Sequence, residues 1–584
     1  MTVESLITLH IDTWTSTVKT QSTSGRGSRK KLELYGVKKL RELILELAIR
    51  GKLVPQDLND EPASVLLERI AAEKSQLVKD KKIKKNRKQP AITQEEIYFS
   101  VPESWAHARL EDIYDVRDGT HDSPKPTSEG FPLVTSKNLS SGKLDLSDVK
   151  LISKEDHIKV IERSRVDRND ILFAMIGSIG NPVIVDTEIE FSIKNVGLFK
   201  YYNPQDSSPN YLNYFLKYAA EIMKKQSAGG VQPFVSLGKL RSFVMPTPPL
   251  AEQHRIVAKV DELMTLCDQL EQQTEASIEA HQLLVSTLLN TLTNSADADE
   301  LMENWARISD HFDTLFTTEE SIDQLKQTIL QLAVMGKLVP QDPNDEPASV
   351  LLERIAEEKA QLVKEKKIKK QKALLLIADD EKPFELPNGW EWCRFSDMSN
   401  EVATGPFGSM IHKRDYIEGG TPLINPSHMI DSKIIEDNSI TVSDIKVSEL
   451  SSYKLFENDI VMARRGEMGR CALVSKREEG WLCGTGSFVL RFNQSLSREY
   501  ILLMFRTSYV REYLGGKSIG TTMTNLNHGI LNKMPLLLPP IAQQHRITTK
   551  VEEMMALCNQ LKARLNESQT TQLQLTDAIV ELAV

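Results

Sequence analysis

Cysteine is scarce in this chain, and so is anything cysteine could build. The five cysteines, Cys267, Cys393, Cys471, Cys483 and Cys558, include no C-x-x-C pair. That excludes a disulfide framework and a zinc finger or ribbon, and it points to a reducing compartment. No apolar run approaches the roughly 20 residues that cross a bilayer. The opening MTVESLITLHIDTW lacks the basic stretch and long apolar core of a secretory leader, so a cytoplasmic protein is expected. Catalytic patterns are missing as well. Leu514–Ser518 (LGGKS) contains G-K-S, but Arg511 stands where a phosphate-binding loop requires glycine. The pair Gly177 and Gly180 lacks the strand, GxGxxG and helix of a dinucleotide site and reads as a turn. No Asn/Asp-Pro-Pro-aromatic tetrapeptide is present to hold a flipped base, as amino-methyltransferases do. A net charge of −9 and a pI near 5.8 argue against an ordinary nucleic-acid binder, whose footprint is basic.

What the chain has is a segment that occurs twice. Gly51–Lys85 reads GKLVPQDLNDEPASVLLERIAAEKSQLVKDKKIKK, and Gly336–Lys370 differs from it only at Leu58/Pro343, Ala72/Glu357, Ser75/Ala360 and Asp80/Glu365. The offset of 285 residues far exceeds the roughly 20–50 residue period of a solenoid or propeller, so domain-sized units have been duplicated. Helix-period apolar residues precede each copy (Leu40, Leu43, Ile44, Leu47; Leu325, Ile329, Leu332) and stop at Gly51 and Gly336, placed as helix C′ residues. A second helix is expected to start near Pro62 and Pro347 and to run into its lysines. Those basic ends (79–88 and 364–372) read first as solvated helix termini with cations at the negative pole.

Between and after the repeats, β-type runs alternate with turn residues. Trp105 and Trp390, Asn169-Asp170-Ile171 and Asn458-Asp459-Ile460, and the tails 227–249 and 518–540 are matched landmarks in two inserts that otherwise diverge. Each tail ends in Pro-Pro and then P-P-[LI]-A-[EQ]-Q-H-R-I. There a long helix begins, with apolar residues at Ile256, Val260, Leu263, Cys267 and Leu270, and at Ile547, Val551, Met554, Cys558 and Leu561. Alternating steps of four and three make a seam suited to pairing with another long helix. A helix of this length would span roughly 60 Å at about 1.5 Å per residue. His254 and His545, before the arginines, read as structural. His10–Trp14 faintly matches His311–Leu315, which makes the Gly/Ser-rich basic stretch 20–31 an insertion, expected to be flexible. The last ten residues resemble the helix before each repeat, which implies a circular, pseudo-twofold arrangement.

The resulting expectation is an α+β chain with an internal repeat. Residues 1–96 form an N-terminal helical region, 97–248 a first globular insert and 249–370 a central helical region. Residues 371–385 are a linker, 386–539 a second insert and 540–584 a last helix. Two divergent surfaces on an invariant frame suit a reader of something bipartite. At DNA, Lys and Arg hold phosphates while Asn, Gln, Arg, Ser and Thr read base edges. The candidate contacts are Thr120, His121, Lys137, Asn138, Lys194 and Gln232 in the first insert. In the second they are Lys413, Arg414, Asn425, Arg464, Arg465, Thr521 and Thr522. No catalytic or metal-binding residues are assigned.

On GKLVPQDPNDEPASVLLERI, the paired P-P-[LI]-A-[EQ]-Q-H-R-I segments and the doubled insert landmarks, the chain resembles the specificity subunit of a type I restriction-modification enzyme. The likeness covers nearly the whole chain, with residues 1–36 and their Gly/Ser loop as a departure. It implies two target recognition domains, each reading half of a split, asymmetric double-stranded DNA site, separated by an antiparallel coiled coil. It also implies a non-catalytic chain that docks two methyltransferase subunits and two restriction/translocase subunits. The complex would use S-adenosylmethionine, ATP and magnesium, none of them bound by this chain. The inserts are where family members differ, so no contact residue carries over. An assembly adaptor whose inserts bind protein or carbohydrate, and a self-sufficient nuclease or methyltransferase, are the other readings of the same residues.

Overall fold

The computed structural model describes all residues except 1–2, 22–30, 86–88, 227–233, 297, 372–373, 408, 467–468 and 518–525. Most of the stretch expected to be a flexible insertion therefore lies outside the described residues. Its flanks, Lys19–Gln21 and Lys31–Glu33, pair as an antiparallel ribbon. Two compact units emerge, Met1–Ser277 with Ser568–Val584, and Ile278–Glu567.

In the first unit the helix Tyr35–Ile49 buries Val37, Leu40, Leu43, Ile44 and Leu47. It ends as its sequence implies. The Lys52 N–H bonds the Leu47 carbonyl at 2.9 Å and the Gly51 N–H bonds Ala48 at 3.4 Å, with Gly51 at φ +70, a Schellman cap that requires the left-handed conformation. Gly51 is also a seat. A Cβ there would lie 2.7 Å from the Pro102 ring and 3.1 Å from Trp105, so only glycine lets the insert's entrance rest on the helix end.

The rest of the repeated segment ties down the same corner. Glu252, buried at the start of the long helix, accepts from Gln56 Nε2 at 2.6 Å and from the Trp105 indole at 2.9 Å. Arg255 grips both oxygens of Asp60, at 3.2 and 2.6 Å, a bidentate geometry that Lys cannot reproduce. Gln253 folds back onto the Pro248 carbonyl at 3.0 Å. The Ala63 N–H, at the start of the next helix, bonds the Ser104 carbonyl at 2.9 Å. The Pro-Pro-x-A-[EQ]-Q-H-R pattern is thus a structural clamp, and His254 is an exposed bystander.

The second unit repeats this corner. Gly336 (φ +72) seats Pro387 and Trp390, Arg546 grips both oxygens of Asp345, and the Ala348 N–H bonds Gly389 at 2.8 Å. Gln543 replaces Glu252, and the Trp390 indole turns to Gln341 Oε1 at 2.9 Å.

The helices of the repeat run Ala63–Lys79 and Ala348–Lys364, with Pro62 and Pro347 as N-caps. They stop before most of the lysines, a correction to the expected run through them. Lys81 (φ +58) and Lys366 (φ +61) take the left-handed position at both ends, a place where glycine is usual. The described lysines of 81–85 and 366–370 are therefore exposed chain beyond a capped helix.

Each insert is built on a four-stranded antiparallel sheet. In the first the order is Tyr114–Asp118, Val196–Tyr201, Ile171–Ala174, Gly180–Ile184. In the second it is Ser399–Thr404, Ser487–Phe492, Ile460–Ala463, Cys471–Leu473. Alternation along a strand sends Ile171 and Phe173 toward the helix Pro209–Gln226. Leu172 and Ala174 face Val134, Leu139 and Ile193 on the other side. The Asn-Asp-Ile landmarks fix one end of these sheets. Asn169 and Asn458 adopt φ +68 and +71. Asp170 caps the turn by accepting from the Asp167 N–H at 2.7 Å and meets Lys200 at 2.5 Å. Asp459 does the same with Phe456 at 3.0 Å and Arg491 at 3.2 Å. Burial pushes both carboxyls up, against the pull of those cations.

The long helices are Leu250–Asn294 and Ile541–Ala583. In the first unit Ile256, Val260, Leu263, Cys267 and Leu270 are buried in one cluster with Leu40, Leu43 and Leu47, and Arg41 bonds Asp268 and Glu271 at 2.6 and 2.7 Å. In the second, Ile547, Val551 and Cys558 are buried with Leu325, Ile329 and Leu332, while Met554 and Leu561 pack on the same cluster half-buried. Within each unit the seam thus faces the short helix that precedes the repeat. The end of the chain returns to its beginning: Thr576 meets Thr17 at 3.0 Å, and Asp577 accepts from Tyr35 at 2.8 Å.

Replacing Gly51 or Gly336 by alanine combines a left-handed φ with a clash. Each single substitution should cost about 1–3 kcal/mol of unfolding free energy, measured by denaturant titration, whereas alanine at exposed Asp57 should change little. Full stability in Gly51→Ala would show that the corner is not a constraint.

Candidate nucleic-acid interface

The sheet of each insert has one end fixed by the Asn-Asp-Ile turn. At the opposite end the chain folds back on itself through a few backbone bonds.

In the first insert the Gly119 N–H bonds the Val196 carbonyl at 3.0 Å, Thr120 bonds Ile193 at 2.9 Å, and Asn195 bonds Thr120 at 3.1 Å. Gly119 is required because a Cβ would sit 2.2 Å from the Ile193 oxygen. On this platform the exposed His121 is held by both ring nitrogens, Nδ1 3.0 Å from Asn195 Oδ1 and Nε2 3.0 Å from Asp118 Oδ2. Asp118 is buried, with only 4% of its side chain exposed, and also pairs with Arg163. Thr120 Oγ1 accepts from the Asp122 N–H at 3.1 Å, and Lys194 reaches Ser123. Thr120, His121 and Lys194 therefore converge.

Lys137 and Asn138 stand on a separate turn. Lys137 is exposed and paired with Asp148 at 2.5 Å. Asn138 is a correction: it is buried and its amide is fully spent. Its oxygen accepts from the Thr135 N–H and hydroxyl at 3.0 and 3.1 Å. Its nitrogen donates to the Asp145 and Asp148 carbonyls, both at 3.1 Å. A base edge would find nothing free there. Gln232 lies outside the described residues.

In the second insert the same platform recurs: Gly405 N–H to Ser487 at 2.9 Å, Arg464 N–H to Gly486 at 2.8 Å, and Leu526 N–H to Arg464 at 3.1 Å. The Arg464 guanidinium lies 4.9 Å from the Phe488 ring centroid and donates through Nε to the Leu526 carbonyl at 3.4 Å. Burial, then the neighbouring charge of Arg465, lower its proton affinity. His528, with Nε2 2.7 Å from Thr404 Oγ1, is held below its ordinary pKa by burial and then by Arg464. It therefore stands neutral at physiological pH. Arg465 is exposed and has no ion pair among the described residues. Asn425 lies with its carboxamide oxygen against Gly484, where a Cβ would be 2.2 Å away. Lys413 and Arg414 are exposed on the short turn before Tyr416–Ile417. Thr521 and Thr522 lie outside the described residues.

Several members of these clusters carry no signal in the sequence. Arg163 on the helix Lys154–Ser164, Thr404 at the end of its strand and His528 on the helix His528–Lys533 are brought in by the fold, and no local motif marks them. Phe234 bridges to Ile176 with 61% of its surface exposed. A search for polar base readers passes over an apolar pair. Both strand ends present donors, acceptors and cations, in the first insert beside the exposed Phe234, the chemistry of base edges and phosphates.

A protein-family model described as the type I restriction modification DNA specificity domain matches residues 102–280 and 387–568. The specificity subunits of the type I restriction enzymes EcoAI and EcoEI, both from Escherichia coli, are each 41% identical to this chain over 603 aligned positions, covering 100% of each partner in both cases. The EcoKI specificity subunit of Escherichia coli strain K12 is 21% identical over 502 positions, 83% of this chain and 89% of that one.

Removing the Asn138 amide leaves two half-buried carbonyls and two half-buried donors without their partner. Asn138→Ala should cost about 1–3 kcal/mol of stability and leave ligand preference as it was. An altered preference at full stability would return Asn138 to the interface.

Proposed function

The chain belongs to the family of type I restriction-modification specificity subunits, and on that premise we propose that each insert reads one half of a split, asymmetric double-stranded DNA site. The observation that supports this reading is the contrast within each insert. The corner at Gly51 and its twin at Gly336 share the seating glycine, the proline and tryptophan upon it and the Arg–Asp pair, while the strand-end loops, His121 with Asn195 against Arg464 with His528, have nothing in common. Unlike readers on a common frame imply unlike half-sites.

The chain itself is non-catalytic. It docks two methyltransferase subunits, which act on the DNA with S-adenosylmethionine, and two restriction/translocase subunits, which use ATP and magnesium. The doubled frame suits paired partners. Val65 and Val350 are 42% and 41% exposed on helices of nearly identical sequence, and a surface repeated without a core role fits the same protein binding twice. Two half-sites read from one face of the duplex lie about 34–36 Å apart, and joining two modest readers raises affinity through effective concentration. The acidic net charge of −9 fits a reader whose partners supply much of the phosphate-neutralising surface. The assembly works in the cytoplasm. Among the described residues, no helix is long and apolar enough to cross a membrane.

Mapping methylated adenines in cells that carry this chain with its methyltransferase, against cells lacking the chain, tests the proposal. A bipartite motif with a fixed unspecified gap should vanish on deletion. Unchanged methylation with an active methyltransferase would refute it.

A further inference from the structure

We propose that Arg465 reads a guanine in the half-site of the second insert, and that the same place in the first insert, Ile176 with Phe234, packs on a thymine methyl group. The proposal rests on the functional reading above and assigns chemistry to one position of it.

The two places are equivalent by backbone geometry. Ala174-Met175-Ile176 and Ala463-Arg464-Arg465 leave corresponding strands. Met175 accepts from the Val235 N–H at 2.8 Å and Arg464 from the Leu526 N–H at 3.1 Å. Both stretches then turn at a left-handed glycine, Gly177 at φ +75 and Gly466 at φ +83. What they present is opposite in character.

In the second insert two guanidinium groups stand side by side. Arg464 is spent on the Phe488 ring and the Leu526 carbonyl, which fixes its position and makes it a positioning residue. Arg465 extends into solvent with no carboxylate pair among the described residues. A second cation beside a partly desolvated one is unfavourable unless acceptors arrive from outside. The guanidinium fork matches guanine O6 and N7 in the major groove. A phosphate would also accept it, but every half-site has phosphates, and a phosphate contact would be useful at both places. The replacement of Arg465 by Ile176 in the first insert marks a group that distinguishes the half-sites. There, Phe234 is bridged to the half-buried Ile176 and largely exposed at the strand end. The apolar feature that the major groove offers is the thymine methyl group.

The test maps methylated adenines directed by the assembled complex of full-length chain and methyltransferase, for wild type, Arg465→Ala, Arg465→Lys and Phe234→Ala. Arg465→Ala should relax one guanine position of one half-site by on the order of tenfold or more, with the gap and the other half-site unchanged. Arg465→Lys should recover only part of it. Phe234→Ala should relax a thymine in the opposite half-site. An unchanged motif in Arg465→Ala overturns the proposal. So does a uniform loss of methylation at all sites without change of motif, which would identify a phosphate contact. A wild-type chain that directs no split motif overturns the functional reading and this assignment with it.

Discussion

The bidentate pair between Arg255 and Asp60, repeated as Arg546 with Asp345, joins two parts of the chain that are far apart in sequence, beside the seat of a third. Asp60 belongs to the repeated segment, Arg255 opens the long helix, and the Gly51 seat beneath Pro102 and Trp105 fixes the entrance of the insert. Once these meet, the direction in which the insert leaves and the direction in which the long helix departs are set together. Asp60 is nearly buried, at 8% of its side chain, while Arg255 is 36% exposed. The pair is therefore screened on one side only. Its larger role is geometric, since a planar fork on a carboxylate admits little rotation.

Fixing the frame at one end of each sheet leaves the other end free. The Asn-Asp-Ile turn pins the frame end through Asp170 with Lys200, or Asp459 with Arg491. At the far strand ends the side chains differ between the inserts. A buried aspartate organising an exposed histidine and arginine in one insert, and an arginine laid on a phenylalanine in the other, are two solutions on one platform. Contact loops on a rigid scaffold can diverge without loss of fold.

Features that depend on neighbours along the chain are legible in the sequence alone. The helix ends at Gly51 and Gly336, the burial of Ile256 through Leu270 and the small core cysteines Cys267 and Cys558 follow from local pattern, whereas the structural role read for His254 and His545 belongs to the arginines that follow them. What is not legible depends on distant pairing. His121 meets Asn195 across 74 residues and Thr404 meets His528 across 124. Asn138 has the residue type of a base reader, yet the turn it closes consumes every group it has. The ends of the repeat helices are hidden because lysine, at Lys81 and Lys366, holds a position that glycine would ordinarily announce.

The central claim is that the inserts carry the reading and the repeated frame carries the spacing. The most direct measurement replaces the first insert, residues 102–246, by a second copy of residues 387–537, and maps adenine methylation by the resulting complex. The account predicts that one half-site of the motif is replaced by the sequence of the other, while the other half-site and the gap are retained. A motif that keeps both original half-sites, or one whose gap changes with the insert, would contradict it.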